Sequence, residues 1–112
     1  RANGAPEPAQ VRLAGRLAAN LAVLRAMSLA VTRRLNEGAD AGLAAVLVKD
    51  LGTGFEQAVP EWIGQALRAG PAPDEVLART LAYLTVINPT FSLRGGTRHI
   101  LRGIIARELG LR

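Results

Sequence analysis

The 112-residue sequence has no cysteine, one histidine, His99, and only 4% aromatic residues. Without cysteine there is no disulfide, no thiolate nucleophile and no Cys-ligated zinc, and a lone histidine does not supply a histidine-based metal site. Long apolar runs are also missing: nothing approaches the roughly 20 uninterrupted residues that cross a bilayer. The opening Arg1-Ala2-Asn3-Gly4 has no signal-peptide hydrophobic region. A soluble, cytoplasmic protein without a membrane span is expected. Acidic charge is scarce as well, with 14 Lys and Arg against 9 Asp and Glu leaving a net charge of +5. The cations are almost all arginine and are spread from Arg1 to Arg112 without a block. Arg12, Arg16, Arg25, Arg33, Arg34, Arg68 and Arg79 read as solvated helix faces. With so few rings to stack bases, nucleic acid is not expected as a partner.

What the sequence has is aliphatic bulk. Apolar residues make up 49% of it, chiefly Leu, Ala, Val and Ile, enough to build the core of a single domain. Leu, Ala, Arg and Glu favour helix, and the scarcity of β-branched and aromatic residues disfavours a sandwich or barrel. The expected fold is all-α, an antiparallel four-helix bundle.

A first helix is expected from Pro8, with Leu13, Leu17, Leu21, Leu24, Ser28, Val31 and Leu35 as its stripe and Gly38 as its stop. Asp40 is the candidate N-cap of a second helix ending at Gly70, with a kink or break expected from Gly52-Thr53-Gly54 and Pro60. Asp74 should cap a third helix carrying Leu77, Leu81, Leu84 and Ile87, which Asn88-Pro89 would end. Residues 90–97 read as a loop. A last helix bears Ile100, Leu101, Ile104, Ile105 and Leu109, with Gly110 as its C-terminal cap. Among the carboxylates, Asp50 and Glu56 are the least readily explained by capping, and an ion pair with an arginine or with Lys49 is expected for them.

The informative segment is Gly95-Gly96-Thr97. Paired glycines let the backbone approach a ligand closely, Thr97 can cap the helix it opens, and the N–H groups of a helix start suit an anionic or polar group. The longer run from Ser92 to Leu111, containing Gly-Gly-Thr-Arg-His, Ile104-Ile105-Ala106-Arg107 and Leu109-Gly110-Leu111, resembles the end of the acyl-CoA dehydrogenases. That resemblance implies that residues 1–112 are a C-terminal helical domain and that an N-terminal helical domain and a middle β-domain lie outside them. The Arg at position 1, in place of Met, is in keeping with a trimmed or processed piece of a longer protein.

The resemblance further implies an FAD-dependent oxidoreductase of fatty acid metabolism, inactive as this segment alone. Its substrate would be an acyl-CoA thioester, and it would assemble as a homo- or hetero-oligomer, dimer or tetramer. It places FAD contacts at Gly96, Thr97, Arg98 and His99. His99 departs from the family's usual Glu or Gln. Many members carry the catalytic Glu at the position of Gly95, so no catalytic residue is assigned in this chain. Two alternatives stand beside this reading: a catalytically silent subunit, favoured by Gly95, and a helical dimerisation or regulatory module.

Overall fold

The computed structural model describes residues 4–111, and all regular structure among them is helical. The elements are α1 (Pro8–Asn36), α2 (Gly42–Arg68), α3 (Glu75–Ile87), a short 3-10 helix (Asn88–Leu93) and α4 (Arg98–Glu108). Most boundaries follow local chemistry. Pro8 sits in the first turn of α1, and the preceding Glu7 donates its backbone N–H to the Gln10 side chain. Asp74 accepts from the Leu77 N–H at 2.9 Å and Thr97 accepts from the Ile100 N–H at 3.4 Å, so both cap as expected. Gly38 and Gly110 take left-handed φ values of 72° and 74° just beyond α1 and α4. Asp40 lies one residue before the N-cap, Ala41, and accepts from the Gly42 N–H at 2.8 Å.

Several other expectations need correction. Of the kink or break expected in the second helix, the break does not occur: α2 runs through Gly52-Thr53-Gly54 and Pro60 without interruption. Pro60 deletes one hydrogen bond, but it is buried, and α2 is the element on which α1, α3, the 3-10 helix and α4 all pack. Packing on several sides outweighs the local propensity cost. The first part of the expected loop 90–97 is instead wound into the 3-10 helix, fastened to α2 by a reciprocal amide pair. Asn88 Nδ2 donates to the Gln57 carbonyl at 2.9 Å, and Gln57 Nε2 donates to the Asn88 carbonyl at 3.2 Å.

The third correction concerns the stripe of α1. From Leu13 onward the half-buried positions are Leu13, Leu17, Asn20, Leu24, Met27 and Val31, with Ala9 one turn earlier, whereas Leu21, Ser28 and Leu35 are exposed. Steps of four, three, four, three and four define one seam against α2. Asn20 can occupy it because its side-chain amide donates to the Arg16 carbonyl at 2.8 Å.

The chain is extended, 54 × 28 × 23 Å, with a radius of gyration of 17.8 Å. A compact domain of this length would have about 13 Å. Burial is correspondingly thin. Among the described leucines, isoleucines and valines only Leu101 is buried, and α1 buries no residue at all. Large apolar side chains of α1 (Val11, Leu21, Val23, Leu29) and α3 (Val76, Tyr83, Val86) face outward. Contrary to the expectation that no segment reaches spanning length, the 29-residue α1 is long and apolar enough to cross a membrane, with a mean hydropathy of 1.3 over its best window. The core helix of a soluble protein meets the same test.

Candidate functional site

The start of α4 is where the sequence concentrates its chemistry, and the 3-10 helix before it and α2 beside it position it. Leu93 ends the 3-10 helix, Arg94 is extended, and Gly95 and Gly96 turn the chain with φ of 67° and 97°. Two consecutive left-handed residues are open only to glycine without strain. The turn delivers Thr97 to the N-cap of α4, whose first backbone N–H groups have no intrahelical acceptor and lie at the positive end of the helix dipole.

An ionic cluster fixes this turn against α2. Arg98 Nε donates to Asp50 Oδ1 at 2.8 Å, and Arg102 Nε lies 3.6 Å from Asp50 Oδ2. Asp50 is buried, and the Arg98 hydrogen bond holds its carboxyl below the usual carboxylate range. Burial opposes this by favouring the neutral acid, while the charges of Arg98 and Arg102 reinforce it. Gly54, one turn after Asp50, makes room for the arginine: a Cβ there would stand 3.1 Å from an Arg98 terminal nitrogen. A second pair lies beside the first, with Arg94 Nη2 bonded to Glu56 Oε2 at 2.9 Å and its guanidinium 5.4 Å from the Phe91 ring centroid. Asp50 and Glu56 are therefore partners of arginines, as their sequence context suggested.

The residues singled out from the sequence meet different fates. Gly96 and Thr97 are half-buried at the turn, and Gly95 and His99 are exposed. Arg98 is directed at Asp50, so it anchors α4 to α2. Gly95 lies beside Lys49, whose Cε is 3.4 Å from where a Cβ would stand. Sequence reasoning did not foresee the use of Gly54 as a gap for Arg98. The signal was the i, i+4 spacing of Asp50 and Gly54, which puts an acid and an opening on one face of α2.

A carboxylate introduced at the turn would meet Lys49. Gly95→Glu would place the side chain near Lys49 but force a left-handed conformation that costs about 1–2 kcal/mol. A Lys–Glu pair at the surface, with Lys49 half-buried, returns about 1 kcal/mol at most. The variant is expected to be about 1 kcal/mol less stable, as measured by urea unfolding, whereas Gly95→Asn, which tolerates this conformation better, should lose less.

Comparison with protein-family models, with curated proteins and with solved structures finds no match for the chain.

Proposed function

We propose that this chain is the C-terminal helical domain of an FAD-dependent flavoprotein resembling the acyl-CoA dehydrogenases, its helices completing an antiparallel four-helix bundle within the larger assembly. The observation that supports this best is the paired left-handed turn at Gly95 and Gly96, which opens onto the Thr97-capped start of α4. The donor set there suits a polar or anionic part of the cofactor: free helix-start N–H groups, the Thr97 hydroxyl and the exposed His99 imidazole. Gly96, Thr97 and His99 would hold FAD. Arg98 would act from behind, fixing the turn through Asp50. Bound there, FAD would supply the hydride-acceptor chemistry of an acyl-CoA α,β-dehydrogenation. The outward apolar faces of α1 and α3 would meet other domains or subunits in a homo- or hetero-oligomer.

A second reading is favoured by Gly95. The position offers no carboxylate to take the α-proton, and the adjacent Lys49 has none to give. A catalytically silent subunit would keep the fold and the cofactor contacts without turnover.

The test is the visible absorption spectrum of the protein carrying this chain, before and after a mixed set of acyl-CoA thioesters. Flavin absorbance that bleaches is the expected result for a dehydrogenase. Flavin that does not bleach supports the silent subunit. A protein purified without flavin, and unable to take it up, would overturn both and leave a helical dimerisation or regulatory module.

A further inference from the structure

We propose that the cleft between the first half of α1 and the end of α2 binds a small organic oxyanion, a phosphate monoester or carboxylate with an apolar body. The cleft has a volume of about 440 Å³ and is lined by Arg12, Leu13, Arg16, Trp62, Gln65 and Ala66, among others. That volume lies within the range of small-molecule sites. Arg12 and Arg16 are one helical turn apart and therefore project from the same face of α1.

Arg16 is held in place. Its guanidinium carbon is 3.6 Å from the centroid of the Trp62 ring, and Trp62 is itself packed at a tilt against Phe55, 6.0 Å between centroids. A ring over the face of the guanidinium leaves its in-plane N–H donors open to hydrogen bonding, and that fork matches the two oxygens of a carboxylate or phosphate. Immobilising the side chain beforehand also removes part of the ordering cost of binding.

Charge points the same way. Among the described residues, Arg12 and Arg16 have no carboxylate partner, a state they share with Arg25, Arg33, Arg34, Arg68 and Arg107, but they are the two unpaired arginines that line this cleft together. The carboxylate one turn before Gln65, Glu61, accepts from Gln65 Nε2 at 3.0 Å. Leu13, Ala66 and Ala69 supply an apolar wall whose small residues leave room for the body of the ligand. The site lies at the opposite end of α2 from Asp50 and does not depend on the flavoprotein reading.

Trp62 is the only tryptophan in the sequence and lines both this cleft and a neighbouring pocket beside Phe55 and Arg98, so its emission reports binding and Arg12, which lines this cleft and not the other pocket, assigns it. The experiment titrates the 112-residue chain with hexyl phosphate, octanoate, inorganic phosphate and octanol. A saturable change with hexyl phosphate or octanoate is expected, with inorganic phosphate at least tenfold weaker and octanol without effect. Arg12→Gln, which leaves the Arg16–Trp62 stack intact, should weaken binding at least fivefold with an unchanged helical circular dichroism spectrum. Absence of a saturable response to either organic anion would overturn the proposal. So would an equal response to octanol, or undiminished binding by Arg12→Gln.

Discussion

Leu101→Ala is expected to destabilise the chain by about 3 kcal/mol, within the usual range for emptying a buried leucine site. Leu101 is the one buried side chain of α4, beside half-buried Ile104 and Ile105 and the Arg98–Asp50 pair. Leu101 is 4% exposed, while Ile100 is 58% exposed and Leu109 60%. At 11 residues α4 is too short to persist alone in water, so its helicity depends on its seat against α2. Loss of that anchor should free the turn at Gly95 and Gly96 along with the helix. Urea unfolding gives the magnitude, and hydrogen exchange should show the amides of α4 losing protection before those of α2. Ile100→Ala is the control, with an expected cost of about 0.5 kcal/mol for an exposed position. Equal losses in the two variants would show that Leu101 is not the anchor.

The same contrast explains which parts of the molecule could be read from its sequence. Helix ends were legible wherever one residue and its immediate neighbours decide them. Pro8 starts α1, Asp74 and Thr97 accept from N–H groups three residues on, and Gly38 and Gly110 supply the left-handed caps. What could not be read depends on partners distant in sequence. The continuity of α2 through Pro60 follows from the elements packed on it, and the 3-10 helix is secured by the Asn88–Gln57 pair, 31 residues apart. Asn20 replaces Leu21 in the seam of α1 for a similar reason, since hydrophobicity alone favours the leucine while the packing geometry selects its neighbour.

The candidate site divides along the same line. The left-handed Gly95-Gly96 turn and the capping role of Thr97 are local and were readable. The orientation of Arg98 was not, because it depends on Asp50, 48 residues earlier, and on the space above Gly54. A sequence reader sees an arginine at the start of α4 and assigns it outward to a ligand. A buried carboxylate opposite a glycine draws it inward instead, where it positions the turn.

Asp50→Asn tests that positioning role, and it should lower stability at neutral pH by about 2 kcal/mol. Removing one partner from a buried pair commonly costs about 3–5 kcal/mol, and the partial solvent exposure of Arg98, 29%, reduces that here. The substitution preserves side-chain volume, so the loss reports charge: two guanidiniums remain at the α2–α4 contact without their counter-ion. The pH dependence follows from the depressed carboxyl pKa. A group held lower in the folded chain than in the unfolded one stabilises fully above the unfolded value, about 3.9 for aspartate, and loses that contribution as pH falls through the folded value. The stabilities of the parent and Asp50→Asn should therefore differ most at neutral pH and converge below about pH 4. A difference that stays constant across this range would assign the loss to packing. Convergence, accompanied at neutral pH by early loss of amide protection from residue 97 onward in the variant, would establish that the Asp50–Arg98 pair holds the start of α4 in the conformation any ligand there would meet.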